Sequence, residues 1–306
     1  MPPPSGCPLT RFQDSTPLGN LPIGSFAVRG KGLRLSVTLL TVIPWPGAGG
    51  DAARGSGAVP STTAPTRAEA GVAMAWAPGV GLLLGAVASG VLLLADHPLG
   101  AGPLTASVLA IGSLALLTRG LHLDGLADLA DGLASGRPGP AALDIMRRSD
   151  IGALGAATLV LTVLLQVAAL SQAESAGHGR GPAALIAAVV TARLAITWAC
   201  RRGVPAARPD GLGALVAGSV RPAVAAVASA VTLAAAAATV AVWPAAVGGA
   251  PGWTLPLGVA AGLGVAAGVQ RHAVRRLGGI TGDVLGALAE IAMTVTLVVA
   301  AMGPPG

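Results

Sequence analysis

Arg119-Gly-Leu-His-Leu-Asp-Gly-Leu-Ala-Asp-Leu-Ala-Asp-Gly-Leu-Ala134 sets three aspartates, Asp124, Asp128 and Asp131, into a chain that has only 13 acidic residues among 306. Wound as a helix, the three positions fall within roughly a 60° arc, while Leu126, Leu129, Ala130 and Leu133 fill the other side. Carboxylates sharing one face repel one another, so that face stays ionised only in water or around a hard divalent cation such as Mg²⁺. An ordinary solvated helix side would interleave Lys or Arg. None stands between Arg119 and Arg137.

The surroundings of this acidic stretch decide the fold class. The chain is 53% hydrophobic and 10% charged, with a mean hydropathy of +0.73, which is too apolar for a soluble domain of this length. An all-α, polytopic integral membrane helix bundle is expected. Tyr is absent and aromatics make up 2%, so close approach of small residues must hold the helices together, backbone to backbone. The formal charge of +6 does not indicate nucleic acid, because the basic residues lie in loops between apolar runs rather than on one soluble patch. Cys7 and Cys200 sit in a polar tail and an apolar run, and indicate neither a disulfide nor a metal cluster.

Residues 1–30 are rich in Pro, Gly and Ser and read as a disordered tail with no signal-peptide pattern. A single membrane-embedded catalytic domain is expected over 31–302, with a flexible linker at 47–70. The apolar part of Leu33–Pro46 is too short to cross a bilayer, which suits a re-entrant or interfacial helix. Seven candidate spans follow, at about 74–95, 103–119, 151–171, 183–200, 223–243, 254–270 and 284–302. Loops 119–150, 201–222 and 271–283 carry clusters of arginine, whereas 96–102 and 244–253 carry no Lys or Arg and 172–182 only Arg180. Basic loops stay inside. The N-terminus and the acidic face are therefore expected on the cytoplasmic side of the inner membrane, and the C-terminus outside.

A second acidic pattern is Gly278-Gly-Ile-Thr-Gly-Asp-Val-Leu-Gly-Ala-Leu-Ala-Glu290. Asp283 and Glu290 are two turns apart and face the same way, with Gly286 between them leaving room for another backbone or a phosphate. Glu290 lies inside the span, where an ionised group is a functional candidate; an Asp cap with a snorkelling Glu is the plainer alternative. Arg193, mid-span, should meet an anion or line a polar cavity, either as a phosphate fork or as a structural partner of a carboxylate. Arg147 and Arg148 hold a phosphate or mark the inner side. His122 is open as base, ligand or structural group. Carboxylates for Mg²⁺, arginines nearby and no nucleophile pattern together favour phosphoryl transfer.

These residues resemble the cobalamin synthase family, also called adenosylcobinamide-GDP ribazoletransferase. Gly120 to Gly132 is similar to its Gly-Phe-His-Leu-Asp-Gly-Leu-Ala-Asp-x-x-Asp-Gly run, and Gly278 to Glu290 to its Gly-Gly-x-Thr-Gly-Asp-x-Leu-Gly-Ala-x-x-Glu run. Weaker similarities at Leu39–Pro44, Pro78–Gly85 and Ile145–Gly152 extend the resemblance over about 33–302. Arg148 and Asp150 stand in the reverse of the family's order, and Leu121 replaces its Phe. The resemblance implies that a ribose hydroxyl of α-ribazole, or of its 5′-phosphate, attacks the corrinoid-side phosphate of adenosylcobinamide-GDP and releases GMP, with Mg²⁺ as cofactor. It implies catalytic roles for His122, Asp124, Asp128, Asp131, Asp283 and Glu290, the first three aspartates holding the metal. Substrate contacts would come from Arg147, Arg193, Gly125, Gly132, Thr281 and Gly282. The lipid bilayer is the expected partner, and a homo-oligomer is left open. CDP-alcohol phosphotransferases use a similar aspartate signature but would need Arg where Leu129 stands. A cation carrier would place its acids nearer mid-span.

Overall fold

The computed structural model describes residues 24–42, 65–177, 179–242 and 253–302. Eleven helices occur among them: α1 (Gly24–Leu40), α2 (Arg67–Asp96), α3 (Gly102–Leu117), α4 (Leu121–Ala134), α5 (Gly139–Ile145), α6 (Ala153–Ser175), α7 (Arg180–Ala199), α8 (Gly211–Val216), α9 (Pro222–Val242), α10 (Thr254–Leu277) and α11 (Gly282–Ala301). No strand forms among the described residues beyond two isolated bridges, Arg201 with Val220 and Ala206 with Ile280. The protein is an all-α, polytopic membrane bundle, as its composition requires.

A helix covers each of the seven expected spans, but the helices differ in fitness to cross a bilayer. Five are long and apolar enough alone: α2, α6, α7, α9 and α11. α3 has 16 residues and meets α4 at an 87° bend. α10 is long, but its last turns carry Arg271, Arg275 and Arg276. The expected tail at 1–30 is shortened from its far end, since α1 begins at Gly24; residues 1–23 and 43–64, the latter including 47–64 of the expected linker, lie outside the described residues. α2 starts inside the last part of that linker, where Thr66 and Glu69 form a reciprocal capping box.

Glycine does the packing that aromatics would do elsewhere. A Cβ on Gly81 or Gly85 of α2 would stand 2.9 Å from Val189 O or 3.1 Å from Ile186 Cα of α7. One on Gly258 of α10 would stand 2.9 Å from Thr296 O of α11. Such one-turn spacing of small residues lets two backbones touch. Of the five helices able to span alone, α7 and α11 are the most enclosed and α9 the least, with 67%, 72% and 11% of their apolar windows buried.

The helices alternate in direction, so the basic loops meet at one end. There Arg67 donates to Ala217 O, Ala207 N to Ile280 O at 3.0 Å and Ile280 N to Pro205 O at 2.9 Å. Arg180 at the start of α7 donates to Ala300 O and Met302 O at the finish of α11, which marks the other end.

Candidate active site

The site is built at the end where α11 begins. The chain leaves α3 through Arg119 and Gly120, both with positive φ of 55° and 65°, a turn that points α4 across the bundle instead of along it. A left-handed backbone costs a non-glycine residue about 1 kcal/mol, so the surrounding packing holds Arg119 in place. α4 then buries Leu126, Ala127 and Leu129 and leaves Asp124 exposed, with Asp128 and Asp131 half-buried. At 14 residues it is too short to span by itself.

Two glycines bring α4 against α11. A Cβ on Gly125 would lie 2.7 Å from Asp283 O, and one on Gly286 would lie 3.1 Å from His122 Cα. Gly286 therefore admits a backbone, one of the two occupants its position allowed. Gly132 likewise packs on Met146, whose Sδ would be 2.9 Å from an added Cβ. The room beside Gly125 and Gly132 is taken by the protein itself.

Because the helices touch there, Asp124 and Asp283 line one cavity of about 520 Å³ together with Arg147, Arg208, Thr281 and Gly282. Thr281 caps α11 by accepting from Val284 N at 3.2 Å, and its hydroxyl donates to Asp283 Oδ2 at 3.2 Å. Arg208 Nη1 stands 4.0 Å from Asp283 Oδ2, while Nη2 donates to Leu143 O at 2.5 Å. Arg147 pairs with Asp210 at 3.1 Å on the rim. A helix N-terminus facing two guanidiniums across a cavity suits a phosphate group.

Asp131 has a further task. Its two oxygens accept from Gly152 N at 2.7 Å and Gly155 N at 2.8 Å, so it caps the start of α6 from outside that helix. One lone pair remains on each oxygen, so the amides orient Asp131 without exhausting it. Asp128 is pushed up to about 6, first by burial and then by Asp124, Asp283 and Asp131. Four aspartates thus feel one another, although no three of them bring their oxygens within 4.8 Å. Among the described residues only Asp96, His97 and Glu174 do so, at the far end of α2 and α6.

Glu290 and His122 are not in this cavity. Glu290 is buried and accepts from Gln166 Nε2 at 2.8 Å, which also donates to Thr294 Oγ1 at 3.0 Å. Arg193 joins Glu290 and Gln166 around a separate small cavity of about 20 Å³, which Ile111, Leu114, Leu123 and Met293 also line. His122, in the first turn of α4, is 2% exposed, and its backbone meets Gly286 of α11. Sequence reasoning missed Arg208, Asp210 and Gln166. Arg208-Pro-Asp210 was visible only as part of a basic loop, and a lone Gln in an apolar run marks a buried polar partner only when that partner is known.

Fold and site together define a polytopic membrane protein with an acid- and arginine-lined centre at the end of the bundle where its basic loops gather. The chain belongs to the cobalamin-5-phosphate synthase family, whose model matches residues 32–301. A protein of Frankia casuarinae named adenosylcobinamide-GDP ribazoletransferase is 46% identical over 290 residues, 89% of this chain and 95% of its own. Proteins of the same name from Bradyrhizobium diazoefficiens and Chlorobaculum parvum are 38% and 35% identical, covering 88% and 89% of this chain and 92% and 95% of their own. No solved structure matches the chain.

Proposed function

We propose that this chain is an adenosylcobinamide-GDP ribazoletransferase, joining adenosylcobinamide-GDP to α-ribazole or α-ribazole 5′-phosphate and releasing GMP. Its relatives' name supports the reading, and one structural observation carries it furthest: Asp124 and Asp283, far apart in sequence, share a cavity with Arg147 and Arg208. The cavity end faces the cytoplasm of the inner membrane in this reading, since that is where the arginine-rich loops gather.

The donor types fit Mg²⁺. They are carboxylate oxygens, the ligand type a hard cation takes; burial first and the neighbouring aspartates second raise Asp128, and a divalent charge would relieve the second. Asp124, Asp128 and Asp131 would hold it, and Asp283 lines the same cavity as Asp124. Bound there, Mg²⁺ would neutralise charge on phosphate oxygens. The chain's own groups do the positioning. Arg208 and Arg147 clamp the phosphates of the nucleotide end, and the amides at the start of α11 face the same anion. Thr281 keeps Asp283 turned toward the cavity. The ribose hydroxyl oxygen forms its bond to the corrinoid-side phosphorus, the phosphoanhydride bond breaks, GMP leaves, and a carboxylate of the cluster accepts the hydroxyl proton.

Purified protein given adenosylcobinamide-GDP, α-ribazole and Mg²⁺ should yield the joined corrinoid and GMP in equal amounts. Absence of corrinoid product, or release of CMP from a CDP-alcohol instead, would overturn the assignment.

A further inference from the structure

A second cavity, of about 370 Å³, lies between α7, α9, α10 and α11, and shares no residue with the carboxylate cavity. It runs from the last turns of α7 past Ser229, two turns into α9, to the middle of α10. Trp198, Arg201, Ser229, Gly264, Gln270 and Arg271 line it. Its floor is otherwise apolar, with Leu263 and Leu288, and α9, which contributes Ser229, is the least enclosed of the five long apolar helices.

The polar end is held in place. Arg201 Nη1 donates to Trp198 O and to Gln270 Oε1, both at 2.9 Å. Its guanidinium lies over the Trp198 ring, 5.9 Å from the centroid. Gln270 is itself tied to Ala199 O at 3.2 Å, and Trp198 Nε1 to Ser229 Oγ at 2.8 Å. These bonds occupy one nitrogen of a five-donor fork. Among the described residues neither Arg201 nor Arg271 stands within ion-pair distance of a carboxylate. Two guanidiniums thus share the mouth of an apolar slot with no acid among the described residues to neutralise them.

We propose that this slot binds an anionic phospholipid. The phosphate lies on Arg201 and Arg271, and an acyl chain runs along the apolar floor between α9 and α10. The chemistry is that of basic pockets between membrane helices, which select headgroup charge. A free phosphate would find the guanidiniums but gain nothing from the floor. The interfacial tryptophan fixes the depth of the headgroup.

The test is native mass spectrometry of the full chain released from nanodiscs of phosphatidylcholine with a minor share of phosphatidylglycerol, counting retained lipids. Wild type should keep one phosphatidylglycerol in preference to phosphatidylcholine. Arg271→Gln should cut that preference about fivefold, the worth of one interfacial charge. Gly264→Leu should abolish retention without touching charge, because a Cβ at Gly264 meets nothing within 4 Å and the larger side chain grows into the slot. Arg275→Gln, at the same end but outside the slot, should change nothing. Arg271 is exposed, so its variant folds even where Gly264→Leu does not. Equal retention of both lipids, an equal loss in Arg275→Gln, or displacement of phosphatidylglycerol by inorganic phosphate alone would overturn the proposal.

Discussion

Gly125 on α4 and Asp283 on α11 touch through their backbones: a Cβ on Gly125 would meet Asp283 O at 2.7 Å and Asp283 Cα at 2.8 Å. Those atoms belong to a helix start and cannot rotate away, so a methyl group must push the two helices apart. Gly125→Ala should therefore cost about 10²-fold in turnover, the usual penalty for an ångström of misplacement, with secondary structure kept. Gly286→Ala, where the nearest atom is 3.1 Å away, should cost less. Equal activity in Gly125→Ala and wild type would show that the α4–α11 contact does not set the site.

Asp124→Asn, Asp128→Asn and Asp131→Asn should each strongly reduce turnover, since each removes a charged oxygen while keeping shape. Only Asp131→Asn should also lower thermal stability, by about 1–2 kcal/mol. An amide offers one acceptor oxygen, and Asp131 serves two amides of α6. Melting followed by circular dichroism would separate the three; a stability loss shared equally among them would remove the capping role.

The pH dependence has a definite sign. Burial and the neighbouring aspartates raise Asp128 from the ordinary carboxylate range to about 6, so the folded chain holds a proton there that the unfolded chain releases. Without divalent cation, stability should rise as pH falls from 7 through 6 toward 4. Asp128→Asn should melt higher than wild type at pH 7 and match it near pH 4. Mg²⁺ should shrink the difference at pH 7. An Asp128→Asn variant that melts below wild type at pH 7 would contradict a carboxylate destabilised by burial and by its neighbours.

Sidedness is tested by labelling. A single cysteine in 201–222 should react only from the cytoplasm, and one introduced at 247–250 only from outside. The reverse pattern would place the carboxylate cavity on the wrong side for its substrates.

The acidic face on α4 was readable because three aspartates at helical spacing are rare in so apolar a chain. The junction of α4 and α11 was half readable. Gly286 signalled a close approach, but only the structure shows the partner to be the His122 backbone rather than a phosphate. Composition announced a membrane bundle packed through small residues, and Gly81, Gly85, Gly258 and Gly262 supply it. The number of spans was less readable, because α3 is short and bends into α4 and α10 ends in arginines. Helical periodicity says which residues share a face but not what that face meets. Asp283 and Glu290 share a helix side, yet seven residues of α11 carry Glu290 about 10 Å down the axis, away from the cavity.

Glu290 therefore gives the sharpest test. The sequence alone groups it with the aspartates, and a shared site would make Asp128→Asn and Glu290→Gln non-additive, since a site already missing one group has little left to lose. The structure pairs Glu290 with Gln166 instead, beside Arg193. Glu290→Gln should lower stability, because it removes the negative charge that acts on buried Arg193, a loss of about 1 kcal/mol or more. Its effect on turnover, corrected for folded protein, should multiply with that of Asp128→Asn. Adding Arg193→Gln to Glu290→Gln should recover part of the lost stability, because the pair is then neutral on both sides. Two cycles decide it, one of Glu290 with Asp128 read in turnover against Mg²⁺ concentration, the other of Glu290 with Arg193 read in melting temperature. Coupling in the first and none in the second would move Glu290 back among the catalytic carboxylates.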